Sequence, residues 1–512
     1  VNVTDTTSPG ARRGARRYDS TAADSAELLA AALSDTITNP AQAWMGWEFG
    51  TDELKENLEA REWLDAATDE HMATLDDSNF YTQIDEAWIG LVSYGTDAMY
   101  EEELPRDRDG AFTGVTFQAW PVSEYVFTED ANGEANGVIR CFKLTAAAAR
   151  RKFSAMPRYQ GLGRKIEEAL RSNRPEAAEE RFEFIHAIMP RDQYESDSGP
   201  LSWAYTNDYI AKEDEHRIVS GGYMEQPFAV TRWRKTPDDQ GWGRSPGMNA
   251  LPSVLTLNEA SRLALRAWGK DIDPPVVVED RGVVGALRLD AGGITYARRG
   301  ARIDHLMSGG RYDVTKMETE RHIRQIRQMF YIEQLVQLVG EPTPNMTATE
   351  FIRRQQLMQR MLGPTFGRIQ REKLAKLMFR HLAILARANA LPPLPQVLAE
   401  RAARGQAIPV KVVYTGALAR AQQMGDAEAI ERGLAFGAQL AQLTGRPPAR
   451  IDADEAEKRV LELYGVPASV LRTDEQVAEV RRLQAEAAQE EAAMQQAGQT
   501  AEIVGTAAQA MR

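Results

Sequence analysis

Arg321, Arg324 and Arg327 recur at every third position in a stretch with helical spacing. Residues three apart on a helix share one side, so these three form a basic stripe. Such a stripe can meet DNA phosphates, a contact that is electrostatic and blind to base sequence. The same arginines can instead pair with Glu318, Glu320 or Glu333, or with a neighbouring chain. A second candidate is Gly241-Trp-Gly-Arg-Ser-Pro-Gly-Met248, which contains half of a dinucleotide-binding fingerprint. Its third glycine comes one residue late, Pro246 intrudes, and no phosphate-gripping lysine lies beside it. The stretch reads as a tight structural turn.

Other chemistry is missing from the sequence. The six histidines (His71, His186, His216, His305, His322 and His381) are scattered without metal-ligand spacing. No Walker phosphate loop occurs. We therefore expect no catalytic residues, no metal, no cofactor and no enzymatic activity. Glu101-Glu-Glu103 reads as a solvated acidic loop. Cys141, the single cysteine, lies in the strand-like run Val138–Leu144 and reads as a small core residue; one cysteine allows no intrachain disulfide.

The 512 residues suffice for two to four domains, and 43% hydrophobic with 26% charged is ordinary for a globular chain. A net charge of -13 argues against a general DNA-wrapping surface, which is normally basic. No run of 18 apolar residues occurs and the Arg-rich start lacks a signal-peptide core, so we expect no membrane span and synthesis in a reducing cytoplasm.

The elements that position these residues follow from periodicity. Residues 20–95 read as helices, with apolar stripes such as Ala26-Leu29-Ala30-Leu33 and Phe80-Ile84-Trp88-Leu91. Residues 112–234 read as aromatic and β-branched strands interrupted by helices near Ala146–Phe153 and Gly163–Ser172. Ser253–Gly269 is a helix, followed by short β-like runs over 276–313 and a second helix, Glu318–Val339. A short Pro-containing loop, Glu341–Asn345, leads into a long helix, Met346–Leu391. Thr347 and Glu350 make a capping box at its start, Gly363-Pro364 predicts a kink, and Asn389 with Pro392-Pro393 ends it. At about 1.5 Å per residue it is on the order of 65 Å long, beyond the core of an ordinary domain. Pro409–Tyr414 is an isolated strand expected to complete the earlier sheet, since a lone strand is unstable. The fold class is α+β, mainly helical.

The order helix, β excursion, return helix, short loop, long kinked helix resembles the portal proteins of tailed bacteriophages, specifically the head-to-tail connecting proteins of short-tailed phages. The match is carried by Tyr18-Asp-Ser-Thr-Ala, Thr38-Asn-Pro, Ser78-Asn-Phe80, Gly95-Thr96, Gly243-Arg-Ser-Pro-Gly-Met248, Leu257-Asn258, Asp273-Pro274-Pro275 and Met346-Thr-Ala-Thr-Glu350. Leu362-Gly-Pro-Thr-Phe-Gly-Arg-Ile369 and Leu382-Ala-Ile-Leu-Ala-Arg387 continue it.

The resemblance implies a portal fold divided into an N-terminal arm and α+β wing (1–250), a stem helix (251–272) and a β-rich clip (273–315). A second stem helix (316–340), a channel loop (341–346), a kinked spine helix (347–392), a strand returning to the wing (393–420) and a helical crown or tail (421–512) follow. It implies a ring, typically of twelve subunits, at one capsid vertex of the virion, made in the host cytoplasm. Double-stranded DNA would pass through the centre, and the terminase motor, tail adaptor, major capsid and scaffolding proteins would be partners. Arg321, Arg324, Arg327, Glu341, Thr343 and Asn345 are then the DNA-channel candidates. Arg288, Asp290, Tyr296, Arg298 and Arg299 are the clip and motor-docking candidates. A helical scaffold or adaptor of another large assembly is the alternative.

Overall fold

The computed structural model describes residues 17–107, 109–172, 175–192, 199, 202–236, 241–272, 276–278, 303–305, 312–333, 363–415 and parts of 427–482. The chain divides into two compact units: Val1–Asn39 with Thr74–Ile384, and Pro40–Ala73 with Leu385–Arg512.

In chain order the first elements are α1 (Thr21–Ile37), β1 (Met45–Phe49), α2 (Asp52–Glu56), α3 (Leu58–Asp77) and α4 (Phe80–Tyr94). The apolar stripes read from the sequence are the buried faces: Leu29, Ala30 and Leu33 on α1, and Phe80, Ile84, Trp88 and Leu91 on α4. Then come β2 (Thr96–Glu103), β3 (Val115–Trp120), β4 (Tyr125–Glu129), β5 (Ala135–Thr145), α5 (Ala146–Phe153), α6 (Arg164–Arg171), β6 (Arg181–Ile188), β7 (Tyr205–Ala211), β8 (His216–Tyr223) and β9 (Phe228–Arg232).

The first unit holds two antiparallel sheets. One is a five-stranded meander, β4-β5-β6-β7-β8, and the other is β3-β2-β9. On β5 and β6 the even-numbered residues point inward, as strand alternation requires. Phe142, Phe182 and Phe184 pack with Ala149 and Phe153 of α5 and Ile166 of α6. Val138 and Ile188 pack instead with Ala98, Tyr100, Phe228 and Val230 of the smaller sheet. Odd positions face out, so Cys141 is exposed, correcting its expected place in the core.

The other face of β3-β2-β9 carries Asp97, Met99 and Glu101 and is covered by α4 and by the helical run 363–384. That run contains a π-turn at Gln370–Leu374 and continues as α9 (Ala375–Ala388). Edge strand β3 is closed by α4: Asn79 binds both the carbonyl and the N–H of Phe117 (2.9 and 2.8 Å), and Gln83 accepts the Ala119 N–H (2.8 Å). Amides that would template another strand are thereby satisfied.

The acidic run is therefore no solvated loop. It lies in β2, where Glu101 is fully buried. The long helix ends where expected, with Asn389 in the left-handed region (φ 53°). Its capping box lies outside the described residues, as does the chain on the N-terminal side of the expected kink.

In the second unit β1 pairs antiparallel with β12 (Val410–Tyr414), from Met45↔Tyr414 to Phe49↔Val410. The late strand thus makes its own two-stranded sheet with β1, which lies in the 20–95 stretch expected to be helical, and does not join the larger sheets. Trp47 meets the buried His71 edge-on, and the Trp63 indole donates to the Pro392 carbonyl at 3.0 Å. A short helix, α10 (Gln396–Ala403), precedes β12.

Candidate functional site

The arginine stripe sits on a helical hairpin. α7 (Pro246–Ile272) runs against α8 (Tyr312–Met329), and the segment between them contributes the short antiparallel pair β10 (Val276–Val278) and β11 (Ile303–His305). Leu257 on α7 and Ile326 on α8 are fully buried, and Ser253 Oγ donates to Gln325 Oε1 at 3.2 Å. On α8 the three arginines fall outside the buried arc: Arg321, Arg324 and Arg327 are all exposed. Arg321 lies 3.5 Å from Glu318, an exposed pair that contributes little stability.

α7 also presents apolar side chains to water. Met248, Leu251, Leu255 and Leu263 are exposed on the side away from Leu257, Leu255 at 62%. Trp268 is exposed as well. A helix apolar on both sides is built to be covered on both sides.

The base of α7 is held by a joint that the glycine-rich stretch forms. Ser245 caps the helix, its Oγ accepting from Met248 N at 2.8 Å, and Pro246 takes the first helical position where no N–H is needed. Ser245 Oγ also donates to the Ser93 carbonyl (2.8 Å), and Gly243 N donates to Thr96 Oγ1 (2.7 Å). Gly95 ends α4 at φ 79°, and its backbone meets Gly243 so closely that neither can carry a Cβ. The stretch serves as a structural turn, as the sequence suggested.

Behind this joint lies a set of buried charges. Glu372 in the π-turn accepts from the Arg232 backbone N–H (3.0 Å) and from its guanidinium (2.8 Å). The guanidinium also reaches Glu129, the Gly133 carbonyl (3.0 Å) and the Gly241 carbonyl (3.3 Å). Next in sequence, Lys373 lies 2.6 Å from Asp97 and 4.1 Å above the Trp88 ring. Two turns on, His381 Nδ1 meets Glu101 Oε1 at 2.8 Å, and Arg380 donates to the Glu101 carbonyl at 3.2 Å. Burial pushes the Asp97 carboxyl up to about 6, against the pull of the Lys373 ammonium. Burial also pulls the Lys373 ammonium down.

The structure thus gathers Arg321, Arg324 and Arg327 on one exposed face. Glu341, Thr343 and Asn345, and the clip candidates Arg288, Asp290, Tyr296, Arg298 and Arg299, lie outside the described residues. Sequence reasoning missed Asp97, Glu101, Arg232, Glu372 and Lys373. Their signal was charge set inside strand-like or helix-core patterns. Among the described residues no acidic, His or Cys group is arranged to hold a metal, and no helix is long and apolar enough to cross a membrane.

The family model for bacteriophage head to tail connecting protein matches residues 1–471. The chain is 24% identical over 492 residues to the portal protein of Salmonella phage epsilon15, covering 94% of this chain and 84% of that one. It is 25% identical over 512 residues to the probable portal protein of Bordetella phage BPP-1, covering 96% and 88%. Two solved assemblies align at low overlap. The virion of a native gene transfer agent particle gives a TM-score of 0.36 at 12% identity, covering 79% of this chain and 96% of that one. The neck of the native particle computed with C12 symmetry gives 0.34 at 11%, covering 72% and 81%.

Proposed function

The chain belongs to the bacteriophage head to tail connecting protein family, and from that premise we propose that it is a portal subunit whose copies close into a ring at one capsid vertex. In this reading twelve copies surround a channel through which double-stranded DNA is packaged and ejected. α7 and α8 are stem helices, the segment between them is the clip that meets the packaging motor and tail adaptor, and the 363–388 helix belongs to the spine. Capsid and scaffolding proteins surround the ring, and the portal stays in the virion.

The observation that carries the ring is the apolar stripe on α7. A neighbour laid against Met248, Leu251, Leu255 and Leu263 removes it from water, and repeating that head-to-tail contact closes a circle. α8 then turns its arginines elsewhere. The net charge of -13 is multiplied by the copy number, so DNA is repelled overall and the arginines provide weak footholds that let it slide.

Native mass spectrometry of the purified chain should give closed rings, and negative-stain images should show an axial channel. A monomer at every salt concentration, with scaffold present, would overturn the ring. Leu251→Glu with Leu255→Glu should yield monomers whose own unfolding shifts by no more than about 0.5 kcal/mol per exposed site. Rings that persist would exclude α7 as the contact.

Replacing Arg321, Arg324 and Arg327 with Gln should leave rings intact and reduce packaged DNA. It should also flatten the salt dependence of DNA binding by up to about 0.9 log unit per lost phosphate contact. If rings fail instead, the arginines join subunits and the DNA role is wrong.

A further inference from the structure

Arg232 and the π-turn bring three separate pieces of the first unit to one point. Arg232 ends β9. Its guanidinium, 1% exposed, touches Glu129 at the end of β4, Gly133 in the β4–β5 turn, Gly241 in the turn that launches α7, and Glu372 in the long helix. Its own backbone N–H is also taken by Glu372. One side chain therefore spans the base of α7 and the helix that runs behind the small sheet.

The π-turn has a specific task in this arrangement. Glu372 and Lys373 are adjacent in sequence, and both are buried against the same sheet. They reach different strands: Glu372 binds Arg232 on β9, and Lys373 binds Asp97 on β2, where Asp97 pairs with Thr231. Strands in a sheet lie about 4.8 Å apart. The looser winding of a π-turn allows neighbouring side chains to reach neighbouring strands. Such turns are rare and occur mostly as single-turn insertions inside α-helices. This one is held by two buried ionic contacts, one on each strand.

The joint is equally tight on its other side. Gly243 N donates to Thr96, the residue before Asp97 and the register partner of Arg232. Arg244 N donates to the Arg234 carbonyl at 2.7 Å. The turn before α7 and the π-turn thus grip the same two-strand segment, Thr96-Asp97 and Thr231-Arg232, and meet on its Thr96–Arg232 rung.

We infer that Arg232 and the π-turn form a coupling node, through which the seating of α7 and the winding of the 363–388 helix set each other. A displacement at the base of α7 pulls the Gly241 carbonyl from Arg232, frees the guanidinium from one of its fixed partners, and loosens its hold on Glu372. Relaxation of the π-turn withdraws Glu372 and releases Arg232 from the α7 side. The coupling runs both ways, as linkage requires. It stands on contacts within the first unit and holds whether or not copies form a ring.

Hydrogen–deuterium exchange on the full chain tests it. Glu372→Gln touches no atom of the α7 launch turn. Amides of residues 243–249 are nevertheless expected to exchange about tenfold faster in this variant, together with residues 370–374. His381→Gln removes a buried partner from the same helix two turns away, at Glu101, and should leave residues 243–249 at the wild-type rate. In the reverse direction, Gly247→Ala sets a Cβ 2.9 Å from the Ser93 carbonyl and displaces the turn. Exchange at 370–374 should then rise.

Should Glu372→Gln fail to fold, Arg232→Lys serves the same readout. It keeps a cation for Glu372 but cannot span Gly133 and Gly241, so both segments should exchange faster. Unchanged rates at 243–249 in the Glu372 or Arg232 variant would overturn the node. So would an equal rise in His381→Gln, which would mark general loosening.

Discussion

Lys373→Ala is expected to destabilise the first unit by about 3–5 kcal/mol, the cost of removing one partner from a buried ion pair. Lys373 is fully buried, and the Asp97 side chain is 4% exposed. Without the ammonium, Asp97 is left either with an unpaired buried charge that also faces Glu372 or with the cost of taking up a proton to lose it. The Trp88 face loses its cation too. The loss belongs to the orphaned charge rather than to the pair as such. Lys373→Met combined with Asp97→Val should therefore recover most of it, because an apolar replacement of both partners is often neutral or better. Denaturation midpoints of the two single variants and the double variant decide this. A double variant just as unstable as either single would show that the pair itself supplies the stability, and one as unstable as the sum of the singles would show that the two side chains do not interact.

The same site sets a pH dependence. Asp97 in the folded chain titrates at about 6, above its ordinary 3.8, because burial favours the neutral acid. Between these two values folding takes up a proton, which unfolding releases. This group's contribution is fully present below about 4 and is lost as pH rises through about 6. Removing Lys373 raises the folded value further and carries the loss to higher pH. The penalty of Lys373→Ala should accordingly be larger at pH 8 than at pH 5. Equal penalties at both would mean that Asp97 is hydrated in the variant.

Gly243→Ala is expected to prevent folding of the first unit or to destabilise it by more than about 3 kcal/mol. A Cβ there would lie 1.9 Å from the Gly95 carbonyl oxygen and 3.0 Å from Arg232 Cβ. The reciprocal Cβ on Gly95 would lie 2.3 Å from the Gly243 oxygen, at a φ of +79° that disfavours side chains. The nearest obstacles are backbone, so no rotamer change relieves them. Gly269 and Gly367 sit in helical segments with nothing within 4 Å of an added Cβ. Alanine at either should instead gain about 0.5–1 kcal/mol. Soluble yield and thermal melts of the three variants make the comparison, and normal folding of Gly243→Ala would mean the joint is looser than described.

Periodicity made most helices legible. α1, α4 and α5 appear where their apolar stripes and stops place them, and Asn389 ends the long helix as its type suggests. The buried ionic face was illegible because pattern reading counts apolar residues. Asp97 and Glu101 interrupt β2 with charges that look solvated, yet their partners, Lys373 and His381, lie far along the chain. β1 was hidden for a similar reason: its only strand partner among the described residues is β12, and neither alone signals a sheet. The π-turn leaves no mark in the residues that form it. The portal family was legible because short motifs kept their order along the chain, even though each was weak alone.

The contact between Glu101 and His381 spans 280 residues of sequence. At ribosomal speeds of roughly 5–20 residues per second, about 15–55 s pass between synthesis of the acid and synthesis of its base. Through that interval the acidic strand cannot close its outer face. A nascent chain that stops early keeps Asp97 and Glu101 in water and leaves the small sheet open. Completion of the first unit thus reports that translation has passed the long helix, and truncated chains lack the finished surface with which to enter an assembly.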